Sequence, residues 1–238
     1  MDILKEKLRS AHGGSVLDIA TGGGSLLAYL KECFDDTALL VGIDNSPERL
    51  KQAGETVKVD GVCFLTMDAA NLAFKSDSFD TVGIANSLHH MRDLPTTLRE
   101  MKRVLKPGGL FVVSEMFRDG QTQAQRCHVD LHHWWAEIDR LAGISHNETY
   151  TKGEIAGFVS DLELTDIFTH EDPHDDLNPV DDKQMKELIG VIDDYPNKIN
   201  GHSEYDRMTA KGEQLKKRIT DIGFSWATHL MLIGRKQQ

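Results

Sequence analysis

The sequence predicts an α/β fold built on a doubly wound, mostly parallel sheet, and three observations carry that prediction. Short apolar runs alternate with stretches of helical length through roughly the first half of the chain. The run Val16–Ile19 stops in Thr21-Gly22-Gly23-Gly24 and restarts as a helix at Ser25. A second apolar run, Ala38–Ile43, ends in an acid, Asp44. Alternation of this kind implies right-handed crossovers and a sheet covered on both faces. The glycine-rich turn lets the backbone approach a ligand and points a helix N-terminus at it. An acid at the next strand end suits the two hydroxyls of a ribose. Together they point to a nucleoside-bearing cofactor.

Taken in order, residues 2–10 read as a short helix with Ile3, Leu4 and Leu8 on one side. Strands are expected at 15–19, 39–43, 62–66, 80–85 and 109–115. Helices are expected at 25–32, 47–53 and 94–105, with a short one near 69–72. Asn45-Ser46-Pro47-Glu48 sets a cap before a helix-starting proline. Lys106-Pro107-Gly108-Gly109 ends the helix before it, because proline lacks a donor and glycine permits the reversal. In the second half, residues 128–142 read as a helix that ends near Gly143. Thr151-Lys152-Gly153-Glu154 opens another through a capping box. Leu162–Thr169 alternates like a strand, and the acidic stretch Glu171–Pro179 reads as a surface loop. Residues 181–195 and 203–221 look helical, and Trp226–Ile233 looks like a final strand.

A length of 238 residues fits one domain with a substantial core, or one carrying insertions. The 27 basic and 38 acidic side chains give a formal charge of −11, which disfavours phosphate backbones and anionic membrane faces as partners. Three cysteines without a CxxC pair do not form a disulfide framework, so a reducing cytoplasm is the expected setting. The charged first residues lack the apolar core of a signal peptide, and no run approaches the roughly 18 apolar residues of a membrane span. A soluble protein is expected.

These stretches resemble the class I S-adenosylmethionine-dependent methyltransferases, over about residues 14–115 and more weakly to the C-terminus. Val16–Gly24 is similar to that family's first motif, Asp/Glu-x-Gly-x-Gly-x-Gly, with Ala20 in the first glycine position. Gly42–Ser46, Leu65–Ala69 and Phe79–His90 resemble the second, third and fourth motifs, and Leu105–Gly109 the helix-to-strand turn that follows. One glycine loop alone is weak; five elements in order are not. A nicotinamide-dependent dehydrogenase is the rival, but Gly22–Leu27 departs from GxGxxG and Asn86–His90 has no counterpart there.

The resemblance implies a Rossmann-like, doubly wound, seven-stranded mixed sheet whose last strand is antiparallel, with helical insertions after the fifth and sixth strands. It implies S-adenosyl-L-methionine as cofactor and a single domain over 1–238, with 116–150 and 171–222 on the substrate side or as a lid. It places Asp18, Ala20, Thr21, Gly22 and Gly24 beside the methionine portion and Asp44 and Asn45 at the ribose. Met67, Asp68 and Ala69 fall at the adenine, and Asn86 and Leu88 at the end of the fourth strand.

The methyl acceptor is less legible. No Asn/Asp-Pro-Pro-Tyr/Phe sequence occupies the fourth strand end, which with the acidic balance favours a small molecule over a tRNA or another nucleic acid. A non-catalytic cofactor-binding protein is a third reading, and a homodimer is left open. A general base is needed only for a protonated acceptor. His89 is the first candidate and His90 the next. His128, His132 and His133 in the run Cys127–Trp135 form a second group of acceptor contacts or bases. His128 and His132, four apart on a helix, share a face that also suits a metal, but no third or fourth ligand can be assigned, so no metal ligand is named. Trp134 or Trp135 could supply an aromatic wall, and Glu115, His146 and Tyr150 could join this surface. In the 171–222 insertion, Tyr195, His202, Tyr205 and Arg207 are the residues that could face the acceptor.

Overall fold

The computed structural model describes residues 3–9, 11–57, 61–173 and 180–238. The chain runs α1 (Ile3–Arg9), β1 (Gly14–Ile19), α2 (Ser25–Cys33), β2 (Thr37–Asp44), α3 (Pro47–Thr56), β3 (Val62–Thr66) and β4 (Phe79–Ala85). It continues through α4 (Leu94–Val104), β5 (Leu105–Met116), α5 (Gln123–Leu141), α6 (Lys152–Ser160) and β6 (Thr165–Asp172). The final elements are α7 (Asp182–Asp194), α8 (Tyr205–Ile222) and β7 (His229–Arg235). Seven strands form one sheet in the order β3-β2-β1-β4-β5-β7-β6. The five on the β3 side pair in parallel, and β7 lies antiparallel between β5 and β6. This is the Rossmann-like mixed sheet expected, with α5 and α6 inserted after β5, and α7 and α8 after β6.

Successive residues of a strand face opposite sides, so the continuous apolar runs feed two cores. Leu17, Ile19, Val41, Ile43, Ile84 and Val113 pack on one face with α4 and α6. Val16, Leu40, Leu110 and Val112 pack on the other with α2 and Leu8 of α1. The side chains of Ile3 and Leu4 lie outside the described residues. A third cluster joins α5, α7 and α8 around Trp134, Leu188, Ile192, Met208 and Leu215.

Several boundaries differ from expectation for local reasons. Residues 69–72 form a turn, not a helix, because the Asp68 carboxylate takes the Ala70 amide at 2.9 Å and competes with helical pairing. Pro107–Gly109 lies inside β5 as a bulge, where pairing with β4 jumps from Phe79–Leu105 to Thr81–Leu110. α5 begins five residues before the expected start, at a capping box between Thr122 and Gln125. β6 extends through Glu171 and Asp172, which read as loop; on an edge strand, side chains facing water tolerate charge. The rest of that acidic segment, 174–179, lies outside the described residues. β7 starts at His229, leaving Trp226 in irregular chain before it.

The α5–α8 contact turns on Gly212. A Cβ at this position would meet Cζ2 of the fully buried Trp134 at 2.8 Å and Ile192 at 3.3 Å. Trp134 cannot swing away without giving up its 2.9 Å hydrogen bond to the Met208 carbonyl. Helix propensity alone predicts that Gly212→Ala gains about 1 kcal/mol. Overpacking reverses that sign, and chemical denaturation is expected to show a net loss of about 1–2 kcal/mol.

Candidate functional site

The parallel register brings four strand ends to one edge. Ile19 pairs with Ile43 on one side and Ile84 on the other, and Asp44 pairs with Thr66. Ala20, Asp44, Met67 and Asn86 therefore leave the sheet side by side, at the crevice where open α/β sheets bind ligands. The turn after β1 needs left-handed backbone at Ala20 (φ 51°), Gly22 (φ 52°) and Gly24 (φ 86°). Gly24 is also tightly packed, since a Cβ there would lie 2.3 Å from Val57 Cγ2. Gly22 faces open space, with nothing nearer to a built Cβ than the Ala20 carbonyl at 3.9 Å. The turn is tied down by the Thr21 amide on the Ile43 carbonyl at 2.8 Å and by the Gly24 amide on the Thr21 carbonyl at 2.7 Å.

Two acids flank this turn in different states. Asp18 is buried and accepts from the Thr21 hydroxyl at 2.5 Å. Burial pushes its carboxyl up to about 7, against the pull of Thr21 and the Leu27 amide. Asp44 is half-buried and takes the Gly22 amide at 3.0 Å and the Ser46 amide at 2.9 Å, one on each oxygen. A carboxylate has about four acceptor positions, so Asp44 keeps capacity for two hydroxyls. Ser46, not Asp44, caps α3 through the Arg49 amide. Asn45 is exposed beside it. The Met67 amide donates to the Asp44 carbonyl at 3.0 Å, its side chain and Ala69 pack on the core, and Asp68 is exposed. Asn86, at φ 45°, accepts the Met116 amide. The Leu88 side chain is wholly buried in the core. An open turn, an acid with spare acceptor capacity and an exposed acid at the third strand end fit a nucleoside and a charged amino-acid tail.

Beyond β4 the structure gathers histidines. A 3-10 turn, Leu88–His90, follows the strand. The Glu115 carboxylate at the end of β5 is fully buried, accepts the Ser87 and Leu88 amides at 3.0 and 2.9 Å, and pairs with His89 Nδ1. His132 of α5 crosses the His89 ring edge-on at 4.7 Å between centroids. His146 is buried, and its Nδ1 lies 2.8 Å from Asp139. Asp139 also receives the Tyr195 hydroxyl and Lys198 Nζ, and these partners hold its carboxyl down at about 2. Burial keeps His132 and His90 well below the usual imidazole range, His90 at about 3, so both rings are neutral at pH 7.

A cavity of about 480 Å³ opens beside this group, lined by Asn86, Met116, His128, His132, Gln184, Trp226 and His229. His128 accepts the Ala227 amide on Nδ1 at 3.0 Å, which in the neutral ring leaves Nε2 as a donor. Phe224 and Trp226 meet His128 edge-on, and of the two Trp226 lines the cavity as its aromatic wall. Of the five predicted histidines, His89, His90 and His132 come together, His128 lines the cavity with His132, and His133 is held apart on Thr149 at 2.8 Å. The wall is Trp226, not Trp134, which is buried under α8, nor Trp135, which packs on Tyr195. Asp139 and Trp226 were missed as site residues: each acts through partners distant in sequence. Tyr195 turns to Asp139, and Arg207 to Glu137 and Glu204, so the insertion reaches the cavity through Gln184 of α7.

Residues 17–113 match the family described as "Methyltransferase domain". Methyltransferase GfsG of Streptomyces halstedii is 29% identical over 168 residues, 69% of this chain and 59% of that protein. Demethylmenaquinone methyltransferase of Staphylococcus aureus is 36% identical over 104 residues, 43% of each chain. The chain thus spans about half the length of the curated relatives it matches. Among solved structures, YjhP of E. coli superposes with a TM-score of 0.59 at 17% identity, covering 99% of this chain and 91% of that one; it shows the fold alone.

Asp18 gives this edge a pH signature. Its carboxyl ionises near 3.8 when unfolded and near 7 when folded, so within that window the native state binds the extra proton. Stability therefore falls as pH rises through the window. Asp18→Asn removes the ionising group, and its stability relative to wild type is expected to rise by about 2 kcal/mol between pH 5 and pH 7 in the ligand-free protein. Thermal or denaturant unfolding at the two pH values measures this, and a constant difference would contradict the assignment.

Proposed function

We propose that this chain, which belongs to the class I S-adenosylmethionine-dependent methyltransferase family, transfers a methyl group from S-adenosyl-L-methionine to a small-molecule acceptor. The observation that carries the acceptor class is the cavity of about 480 Å³ at the end of β4, a volume in the range of small-molecule sites. The cofactor supplies a methyl group on a sulfonium centre, an electrophile that requires an in-line nucleophile and little else. The chain's own residues supply grip, orientation and exclusion of water.

In this reading Asp44 takes the ribose hydroxyls, with Asn45 beside it. Asp18, Ala20, Thr21, Gly22 and Gly24 border the methionine portion. Met67, Asp68 and Ala69 border the adenine, and Asn86 forms the floor between cofactor and cavity, with Leu88 packed in the core behind it. His128 and His132 contact the acceptor: His128 as a donor through Nε2, His132 as a neutral ring. His89 and His133 are positioning residues, since their rings are engaged by Glu115 and by Thr149. Segments 116–150 and 171–222 serve as the substrate side of a single domain, and α7 contributes Gln184 to the cavity lining. The aromatic wall of Trp226 suits a ring-bearing or apolar acceptor, in keeping with the quinone-related name of the Staphylococcus aureus relative.

Transfer to nucleic acid is less well supported. A phosphate-binding surface would be marked by Lys152, Lys183, Lys186, Lys211, Lys216, Lys217 and Arg218 clustered beside the pocket, and five of these, Lys152, Lys183, Lys211, Lys216 and Arg218, are paired with carboxylates. A non-catalytic role would suit a mouth closed by the inserted helices, whereas here an open concavity remains. Among the described residues no helix is long and apolar enough to cross a membrane, and we place the protein in the cytoplasm.

Methyl-labelled S-adenosylmethionine incubated with the protein and a cell extract is expected to label the low-molecular-mass fraction. Label confined to RNA or protein would overturn the acceptor class. Asp44→Ala is expected to weaken S-adenosylhomocysteine binding by about 1–3 kcal/mol in isothermal titration. Unchanged affinity would remove Asp44 from the ribose.

A further inference from the structure

We propose that His89, His90, His132 and His146 form a closed four-imidazole site for a divalent late first-row transition metal, zinc in the first instance. One ligand nitrogen from each ring lies within 4.8 Å of the other three. Metal–nitrogen bonds of about 2.0–2.1 Å in tetrahedral geometry place ring centroids about 5 Å apart. The six centroid separations here run from 4.1 to 6.2 Å around that value.

The tautomers make the stronger argument. His89 Nδ1 donates to Glu115 and His146 Nδ1 donates to Asp139, so each neutral ring turns a bare Nε2 lone pair inward. His90 supplies the fourth ring nitrogen of the group. His89 Nε2, His132 Nδ1 and His146 Nε2 are buried without a hydrogen-bond partner, and the His89 and His146 residues are only 1% and 4% exposed. Converging buried ring nitrogens that lack hydrogen-bond partners are costly, at roughly 1–3 kcal/mol each, and a cation satisfies all of them at once. A carboxylate behind a ligating imidazole is the usual support of metal-binding histidines, and it occurs here twice. Glu115 and Asp139 also offset the double positive charge, with Lys198 and Tyr195 sharing Asp139.

Imidazole sets of this kind suit zinc, copper, iron or nickel, whereas calcium and magnesium require oxygen ligands. Four protein ligands leave no open coordination position, so the ion holds structure in place. It joins the turn after β4, the middle of α5 and the segment after α5, which is already docked by the Asn147 amide on the His89 carbonyl at 2.8 Å. Because His132 also lines the cavity, the ion would fix one of its walls. The proposal does not depend on the methyl-transfer reading.

The test strips the purified 238-residue chain with a chelator, reloads it with Zn(II) or Co(II) and measures metal by mass spectrometry and absorption. One tightly held equivalent per chain, with the d–d spectrum of four-coordinate Co(II), is expected. His90→Ala, at a ring outside the hydrophobic core clusters, and His132→Ala are each expected to weaken metal binding at least tenfold. Circular dichroism identifies folded chains. No stoichiometric metal in the wild type, a six-coordinate Co(II) spectrum, or a smaller loss in either folded variant would overturn the site.

Discussion

Glu115 sits fully buried at the end of β5, where its two oxygens take the Ser87 and Leu88 amides and the His89 ring, and the acceptor side of the molecule is arranged around that contact. The chain must turn sharply after β4, and a turn buried under α5 has no water to receive its amides. A carboxylate from the neighbouring strand satisfies both amides and also fixes the direction of an imidazole. Ser114, one residue earlier, accepts the Asn86 amide at 2.8 Å, so two successive residues of β5 set the whole exit of β4. Through His89 the order passes to His132 and His146, and through the His89 carbonyl to the 143–149 segment. An apolar residue in place of Glu115 would leave two amides and a ring nitrogen without partners, each at a cost of roughly 1–3 kcal/mol.

The cofactor side relies on a different constraint, the alignment of parallel strand ends. Ile19, Ile43, Leu65 and Ile84 share one register, so the residues after each of them emerge together without help from the inserted helices. The two acids at this edge divide the work by environment. Asp18, buried against the turn, is poised near neutrality, whereas Asp44 is held by amides at a position that still reaches outward.

This division explains what could be read from the residues alone. The cofactor side is written in contiguous stretches: a strand, a turn that demands glycine, a helix, and an acid at the next strand end. Periodicity and turn chemistry are local signals, and they locate such stretches even where boundaries slip, as at Asp68 and at the Pro107–Gly109 bulge. The acceptor side depends on contacts between distant segments. His89 and His146 lie 57 positions apart, and nothing near either of them announces the other. The i, i+4 spacing of His128 and His132 shows that both rings share a face of α5. It does not reveal that His132 meets the β4 turn while His128 meets Ala227 and Trp226. Trp226 was equally hidden, because it falls in irregular chain ahead of β7 and reaches the cavity only through the packing of Phe224 against α5 and α8.

The cavity therefore draws its walls from elements under separate control. Asn86 and Met116 come from the sheet edge that also carries the glycine turn and Asp44, whereas His128, His132, Gln184 and Trp226 come from the insertions after β5 and β6. Substitution in the insertions can reshape the acceptor space without disturbing the strand register that aligns Ala20, Asp44, Met67 and Asn86. The reverse does not hold. Asn86 and the Glu115-bound turn belong to both halves, so a change at the end of β4 alters the cofactor edge and the cavity together. In the proposed reading, that asymmetry assigns acceptor choice to α5, α7 and the approach to β7, and leaves the exit of β4 as the segment through which the two sites stay in register.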